Sequence, residues 1–437
     1  MKNFFKSTII LSVTAILGVY PLLMCGKVLG IQPTQVQPEL TNQAYSFKLP
    51  TPRGAYQVGT TAYYLIDSSR KETYKSEIYD LTTRKLITNP PPTNRRELMV
   101  SVWYPAVSKS ILKTAPYVDE GFALATADGF APNLGVSPDK FTQLITRIIQ
   151  TNAIPKASIA NALKRYPIVI FSPGFGSTPR FYSNQIEQLA SHGYVVVAIT
   201  PTYEAPILFP GGRVITQSTI FNFSKANQTK IDSTFNEAVK IRAKDVSFVL
   251  DELARINRKD SQGIFTGRLD LNRVGIMGHS LGGDTAIEAM WRDGRIKAGI
   301  NMDGGSYGTL LSSKNKSSLN RPFLVMSHDG ADNALQLFYQ RQKANAYRLT
   351  LRGSKHNTFM DFGLILPAFK AHSTAQPKSQ IEQSIGSIKP QRAANIISAY
   401  TLAFFNQYLK GKNETLLKTP SPNYPEVVIE SRNKHYF

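Results

Sequence analysis

Apolar positions between residues 56 and 410 follow two periods in turn. Short runs at 166–172 (YPIVIFS), 194–200 (YVVVAIT), 273–278, 297–302, 322–327 and 347–351 are almost continuously apolar. Runs of that length and density predict strands buried on both faces. Residues 96–104 alternate apolar with polar, so an early antiparallel strand is expected there. Between the runs lie stretches of helical period at 179–192, 234–258, 281–291 and 390–410. In the second of these, Val239, Val246, Val249, Leu250 and Leu253 share one face, and Thr234 with Glu237 three residues on predicts a capping box at its start. Strands alternating with helices predict an α/β fold, a mostly parallel central sheet with helices on both faces.

Two segments interrupt the alternation, and both read as insertions into one domain spanning 56–410. In the first, 106–165, Ser137 as N-cap and Pro138 at the first helical position predict a helix. Its stripe Phe141, Leu144, Ile145, Ile148 and Ile149 reads first as core packing and second as a lid or interfacial helix. In the second, 201–233, Gly211-Gly212 predicts the turn of a hairpin at the rim of a pocket. Residues 31–55 read as a linker, Pro90-Pro91-Pro92 as a loop and 411–437 as a C-terminal tail.

Lys2 and Lys6 precede an uncharged, mostly apolar run at 7–24, the pattern of a secretory signal or short signal-anchor within residues 1–30. Export to the periplasm or beyond, or retention by a membrane anchor, is therefore expected. Val28-Leu29-Gly30 offers a cleavage site; lipidation of Cys25 is the weaker alternative, because bulky Met24 precedes it. Cys25 is the single cysteine, so no intrachain disulfide is available. Hydrophobic residues make up 42% of the 437, which excludes wholesale disorder. The formal net charge is +21, and loss of residues 1–30 lowers it by only three. The excess is scattered, without a basic run or a zinc-ligand cluster. This argues against nucleic acid and fits a plain basic surface or attraction to an anionic membrane. Nothing in the sequence speaks to oligomeric state.

The chemistry centres on Gly278-His279-Ser280-Leu281-Gly282, set between a predicted buried strand and a predicted helix. Such a turn strains the serine backbone and needs small residues on either side, the arrangement of a nucleophile elbow. A serine hydroxyl needs a base to take its proton. In this chain order the base follows the nucleophile; His356, in the loop after the run 347–351, leads and His328 is second. The acid that orients the base stands at a strand end, either Asp303 or Asp329 (with Asp332 nearby). The oxyanion hole takes the Leu281 N–H and a second N–H from Pro173-Gly174-Phe175-Gly176-Ser177, for which Phe175 is expected. No cofactor and no metal is called for.

The blocks FSPGFGSTPRFYSNQIEQLASHGYVVVAI (171–199), RAKDVSFVLDEL (242–253), LDLNRVGIMGHSLGGDTA (269–286), AGINMDGG (298–305) and GSKHNTFMDF (353–362) occur in the order of a known family. On these blocks the chain resembles the plasma-type (group VII phospholipase A2) platelet-activating factor acetylhydrolases and their bacterial relatives. The resemblance implies the α/β-hydrolase fold, a metal-free Ser-Asp-His triad with Asp303 as its acid and His356 as its base, and oxyanion donors at Phe175 and Leu281. It implies a small ester or phospholipid substrate, in particular short-chain or oxidised acyl esters of glycerophospholipids. Other readings are a general carboxylesterase or polyester hydrolase, and an inactive envelope binding module on the same scaffold. The sequence departs from the family at Pro173, where relatives often carry His, and the segments 56–165 and 201–233 match poorly.

Overall fold

Ten strands hydrogen-bond into one sheet: β1 (Gln57–Lys71), β2 (Arg95–Ala106), β3 (Ala153–Pro155), β4 (Tyr166–Ser172), β5 (Val195–Thr200), β6 (Leu269–His279), β7 (Ile296–Met302), β8 (Phe323–His328), β9 (Ala346–Leu351) and β10 (Val427–Arg432). Their spatial order is β10-β9-β8-β7-β6-β4-β5-β2-β1-β3. From β9 through β5 all neighbours run parallel, while β2 is antiparallel to β5 and to β1. The computed structural model describes residues 46–432, apart from 76–77, 81–84, 88–93, 108–112, 306, 312–316, 331–332 and 374–378. The signal segment, Cys25, most of the 31–55 linker, the triple-proline loop, Asp332 and His435 lie outside the described residues.

Period two explains why the central runs are apolar throughout. Val169 and Phe171 of β4 enter the core on one face of the sheet, while Tyr166, Ile168 and Ile170 enter the core on the other. Helices supply the outer layers: α1 (Glu120–Phe130), α2 (Pro138–Gln143), α3 (Ser183–Ser191), α4 (Gln228–Arg258), α5 (Leu281–Arg292), α6 (Phe362–Lys370) and α7 (Pro390–Lys410). Ile186 and Leu189 of α3 and Ile397 and Phe404 of α7 cover one face; Val246 and Val249 of α4 and Ile287 of α5 cover the other. The chain leaves β4 for β5 on one side and later returns to β6 on the other. Crevices open at the carboxyl ends of the strands at such a switch point, and the candidate site residues gather there. No helix among the described residues is long and apolar enough to cross a membrane.

Several expectations need correction. Helix α4 begins six residues before the expected capping box: Asn227 is the N-cap, accepting from the Lys230 N–H at 2.9 Å. Thr234 instead donates its hydroxyl back to the Lys230 carbonyl at 2.8 Å, inside the helix. The helix after Ser137 stops at Gln143. A β-branched run follows, Thr146 bonds back to the Thr142 carbonyl at 2.6 Å, and a π turn (Leu144–Ile148) leads into extended backbone where Ile149 pairs with Phe47. That pairing also ties down the described end of the expected linker. The expected tail carries β10, antiparallel to β9, with Val427 buried against the core. Strand β1 was not foreseen, because its mixed Thr, Tyr and Ser content blurs the alternation. The hairpin in 201–233 forms as expected, Ile207–Leu208 against Arg213–Ile215, with Gly211 and Gly212 at φ 81° and 79°. It extends into a four-stranded sheet with Ile78–Asp80 and Lys85–Ile87.

The stripe in 106–165 is core. Phe141 stacks on Phe130 and on Phe369, each with ring centroids 5.9 Å apart. Phe141→Ala should therefore cost about 3–5 kcal/mol of stability, read as a lower urea midpoint. An unchanged midpoint would show that the stripe is not packed.

Candidate active site

Ser280 sits between the last residue of β6 and the first of α5, with φ 54° and ψ −126°, a conformation that side chains rarely adopt. Two backbone contacts force it. A Cβ on Gly282 would overlap the Ser172 carbonyl at the end of β4, and a Cβ on Gly278 would overlap the Gly282 carbonyl. The Ser280 N–H is tied to the Met302 carbonyl of β7 at 2.9 Å. Both glycines of the motif are thus required by close approach of main chain to main chain.

Asp303 follows β7, also at positive φ (53°), its N–H held by the Met326 carbonyl of β8 at 2.7 Å. His356 opens the turn after β9 and donates from Nδ1 to Asp303 Oδ2 at 2.6 Å. Its Nε2 is buried and, among the described residues, has no partner. The other candidate acid, Asp329, is exposed and accepts the Gly353 N–H at 3.2 Å, bracing the loop that leads to His356. The second candidate base, His328, does not reach toward the serine as a base. Its Nδ1 lies 2.7 and 2.8 Å from the two Asp303 oxygens, and its N–H binds Oδ1 at 2.9 Å. Burial pushes the Asp303 pKa up, but the hydrogen bonds from His328 and His356 outweigh it and hold the carboxyl well below its usual range. Burial lowers the His328 pKa, and Asp303 more than reverses that, so the net shift is upward.

The loop after β4 lies against the elbow: a Cβ on Gly174 would stand 3.5 Å from Ser280 Cβ. Among the described residues, neither the Phe175 N–H nor the Leu281 N–H finds a protein acceptor. The side chains of Phe175 and Leu281 belong to one apolar cluster with Phe221, Phe223 and Phe235. The Phe175 ring lies 5.1 Å from Phe221 and 5.0 Å from Phe235. Segment 201–233 therefore backs the loop through Phe221 and Phe223.

His279, Asp303 and His356 bring potential metal-ligand atoms within 4.8 Å of one another. Those atoms are already engaged: His279 Nε2 with the His356 carbonyl at 3.0 Å, its Nδ1 with the Tyr182 hydroxyl at 2.9 Å, and both Asp303 oxygens with imidazoles. The group reads as a hydrogen-bonded chain, not as a vacant donor set.

Arg242 escaped the sequence reading, although an arginine spaced between Val239 and Val246 on the apolar face of α4 marks a buried charge. It is 3% exposed, paired with Glu204 through bonds of 2.8 and 2.6 Å, and donates to the Pro173 carbonyl at 2.6 Å. Tyr182 and His279 were likewise not foreseen as parts of the site, and His328, expected as the second candidate base, instead bonds to Asp303.

A parallel sheet with a strained serine turn and an Asp–His pair at its carboxyl edge defines an α/β-hydrolase. The solved ferulic acid esterase of Streptomyces cinnamoneus shares the architecture, with TM-score 0.68 and 30% identity over 88% of this chain and 99% of that one. The family profile described as platelet-activating factor acetylhydrolase, isoform II, matches residues 42–418, and the chain belongs to that family. A relative from Arthroderma benhamiae, named a probable 1-alkyl-2-acetylglycerophosphocholine esterase, is 28% identical over 88% of this chain and 94% of its own length. The platelet-activating factor acetylhydrolase of Cavia porcellus is 26% identical, the match covering 56% of this chain and 58% of that protein. The chain is an ester hydrolase.

A histidine whose pKa rises on folding adds stability below its ordinary value of 6.5, and loses it as pH climbs through the raised value. His328→Leu should accordingly cost about 1.5–3 kcal/mol at pH 6 and clearly less at pH 9. Urea titrations at the two pH values check this; an equal loss at both would contradict the Asp303 pairing.

Proposed function

We propose that the chain is a serine esterase acting on short-chain or oxidised acyl esters of glycerophospholipids. Ser280 is the nucleophile, His356 the base, Asp303 the acid, and the N–H groups of Phe175 and Leu281 form the oxyanion hole. The observation that carries the reading is the 2.6 Å bond from His356 Nδ1 to Asp303, with the other ring nitrogen buried beside the elbow and without a partner among the described residues.

His356 Nε2 takes the Ser280 proton as Oγ attacks the ester carbonyl. Asp303 keeps the ring in the tautomer with Nε2 free and stabilises the imidazolium that forms. Charge developing on the carbonyl oxygen meets two N–H groups already fixed by the elbow and the β4 loop. The imidazolium then protonates the leaving alcohol, a lysophospholipid. A water molecule, deprotonated by the same histidine, hydrolyses the acyl-enzyme.

The names of the Arthroderma and Cavia relatives support the phospholipid reading. The formal charge of +21 supports work at an anionic membrane surface, an attraction that fades with salt. The apolar run after Lys6 supports export by way of the N-terminal segment. The likeness to the ferulic acid esterase favours a second reading, a carboxylesterase for aryl esters.

The test measures kcat/KM on an sn-2-acetyl glycerophosphocholine, a nitrophenyl ester and a hydroxycinnamoyl ester. The phospholipid should be hydrolysed, and Asp303→Asn should lower kcat by about 10⁴ while Asp329→Asn stays near wild type. Activity confined to the other two esters would replace the phospholipid reading. A collapse in Asp329→Asn with Asp303→Asn intact would overturn the acid.

A further inference from the structure

The elbow histidine, His279, takes no part in the mechanism above, yet it is 2% exposed and uses both ring nitrogens. Nε2 lies 3.0 Å from the His356 carbonyl, which only accepts, so Nε2 carries the proton. Nδ1 is then the acceptor, and the Tyr182 hydroxyl donates to it at 2.9 Å. With its proton committed, the Tyr182 oxygen accepts the Gly174 N–H at 3.1 Å. Every proton in the chain Gly174–Tyr182–His279–His356 therefore has one direction. Burial, followed by the nearby His356, pushes the His279 pKa down to about 3, which keeps the ring neutral and this proton arrangement in place.

Both ends of the chain touch the reacting geometry. At one end, the peptide between Pro173 and Gly174 is pinned twice: its carbonyl by Arg242 at 2.6 Å and its N–H by Tyr182. The next peptide has its Gly174 carbonyl bonded by the Ser177 N–H at 3.3 Å. In a trans peptide the N–H points opposite the carbonyl, so the Phe175 N–H is turned away from Ser177. At the other end, the bond holds the main chain of His356 itself, and the two imidazoles lie 4.5 Å apart.

We propose that His279 and Tyr182 are positioning residues: a buried hydrogen-bonded bridge that sets the oxyanion loop and the base loop at a fixed distance from each other. The inference rests on the esterase reading above. The bridge is of most use in the transition state, when the oxyanion donors and the base act together. A small misplacement of either loop lowers the rate without weakening the binding of the ester.

The experiment is a double-mutant cycle on kcat and KM with a nitrophenyl acetate substrate, using Tyr182→Phe, His279→Gln and the pair. Tyr182→Phe keeps the ring and removes only the hydroxyl; His279→Gln retains a donor for the His356 carbonyl. Each single change should lower kcat about 10- to 100-fold with KM within about threefold, since ground-state contacts are untouched. The pair should be little worse than the worse single variant, because breaking either link opens the bridge. A folded Tyr182→Phe with wild-type kcat, multiplicative losses in the pair, or a loss confined to KM would overturn the inference. Should Tyr182→Phe fold poorly, the His279→Gln measurement alone decides by the same kcat criterion. An inactive wild type would instead defeat the esterase reading itself.

Discussion

The site depends on how closely two pieces of main chain approach. The elbow at Gly278–Gly282 sits against the Ser172 carbonyl with no room for a Cβ at either glycine. That contact leaves Ser280 at φ 54°, starts α5 at the next residue, and brings the β4 loop beside the serine. The strain is local and is held by what surrounds it: buried parallel strands on both sides, and the bond from the Ser280 N–H to β7. Without the crowded centre of the sheet, nothing would hold a serine in that conformation.

Around this contact the polar groups are satisfied in pairs. The buried carboxylate of Asp303 would be costly alone. Two imidazoles and the His328 N–H converge on it, and their combined effect keeps it ionised. The buried guanidinium of Arg242 would be equally costly, and Glu204 together with the Pro173 carbonyl satisfies it. At Pro173, the first residue of the β4 loop, the Arg242 bond anchors the main chain through its carbonyl. In each case the group that removes a desolvation penalty also orients a loop at the site.

What could be read from the sequence follows from the range of the interactions. Strands β4 and β5 and the elbow are local signals, continuous apolar runs and glycines two residues either side of Ser280, and they form as read. The pairing of His356 with Asp303 was legible in part because strand ends face one edge, although spacing alone left Asp329 open and the family resemblance made the choice. Tyr182, His279 and Arg242 bond to partners far away in the chain, 97 residues for Tyr182 with His279 and 77 for His279 with His356. No periodicity carries such information. Strand β10 was hidden for a different reason: its second half, Glu430-Ser431-Arg432, is polar and exposed, so it reads as tail until β9 is there to pair with it.

The role of Ser280 is the claim on which the others rest. Reaction with a fluorophosphonate, followed by proteolysis and mass mapping, tests it directly. One phosphonyl group per chain on the peptide containing Ser280, and none in Ser280→Ala, is the expected result. An active enzyme that remains unlabelled, or that carries the group on another residue, would contradict it.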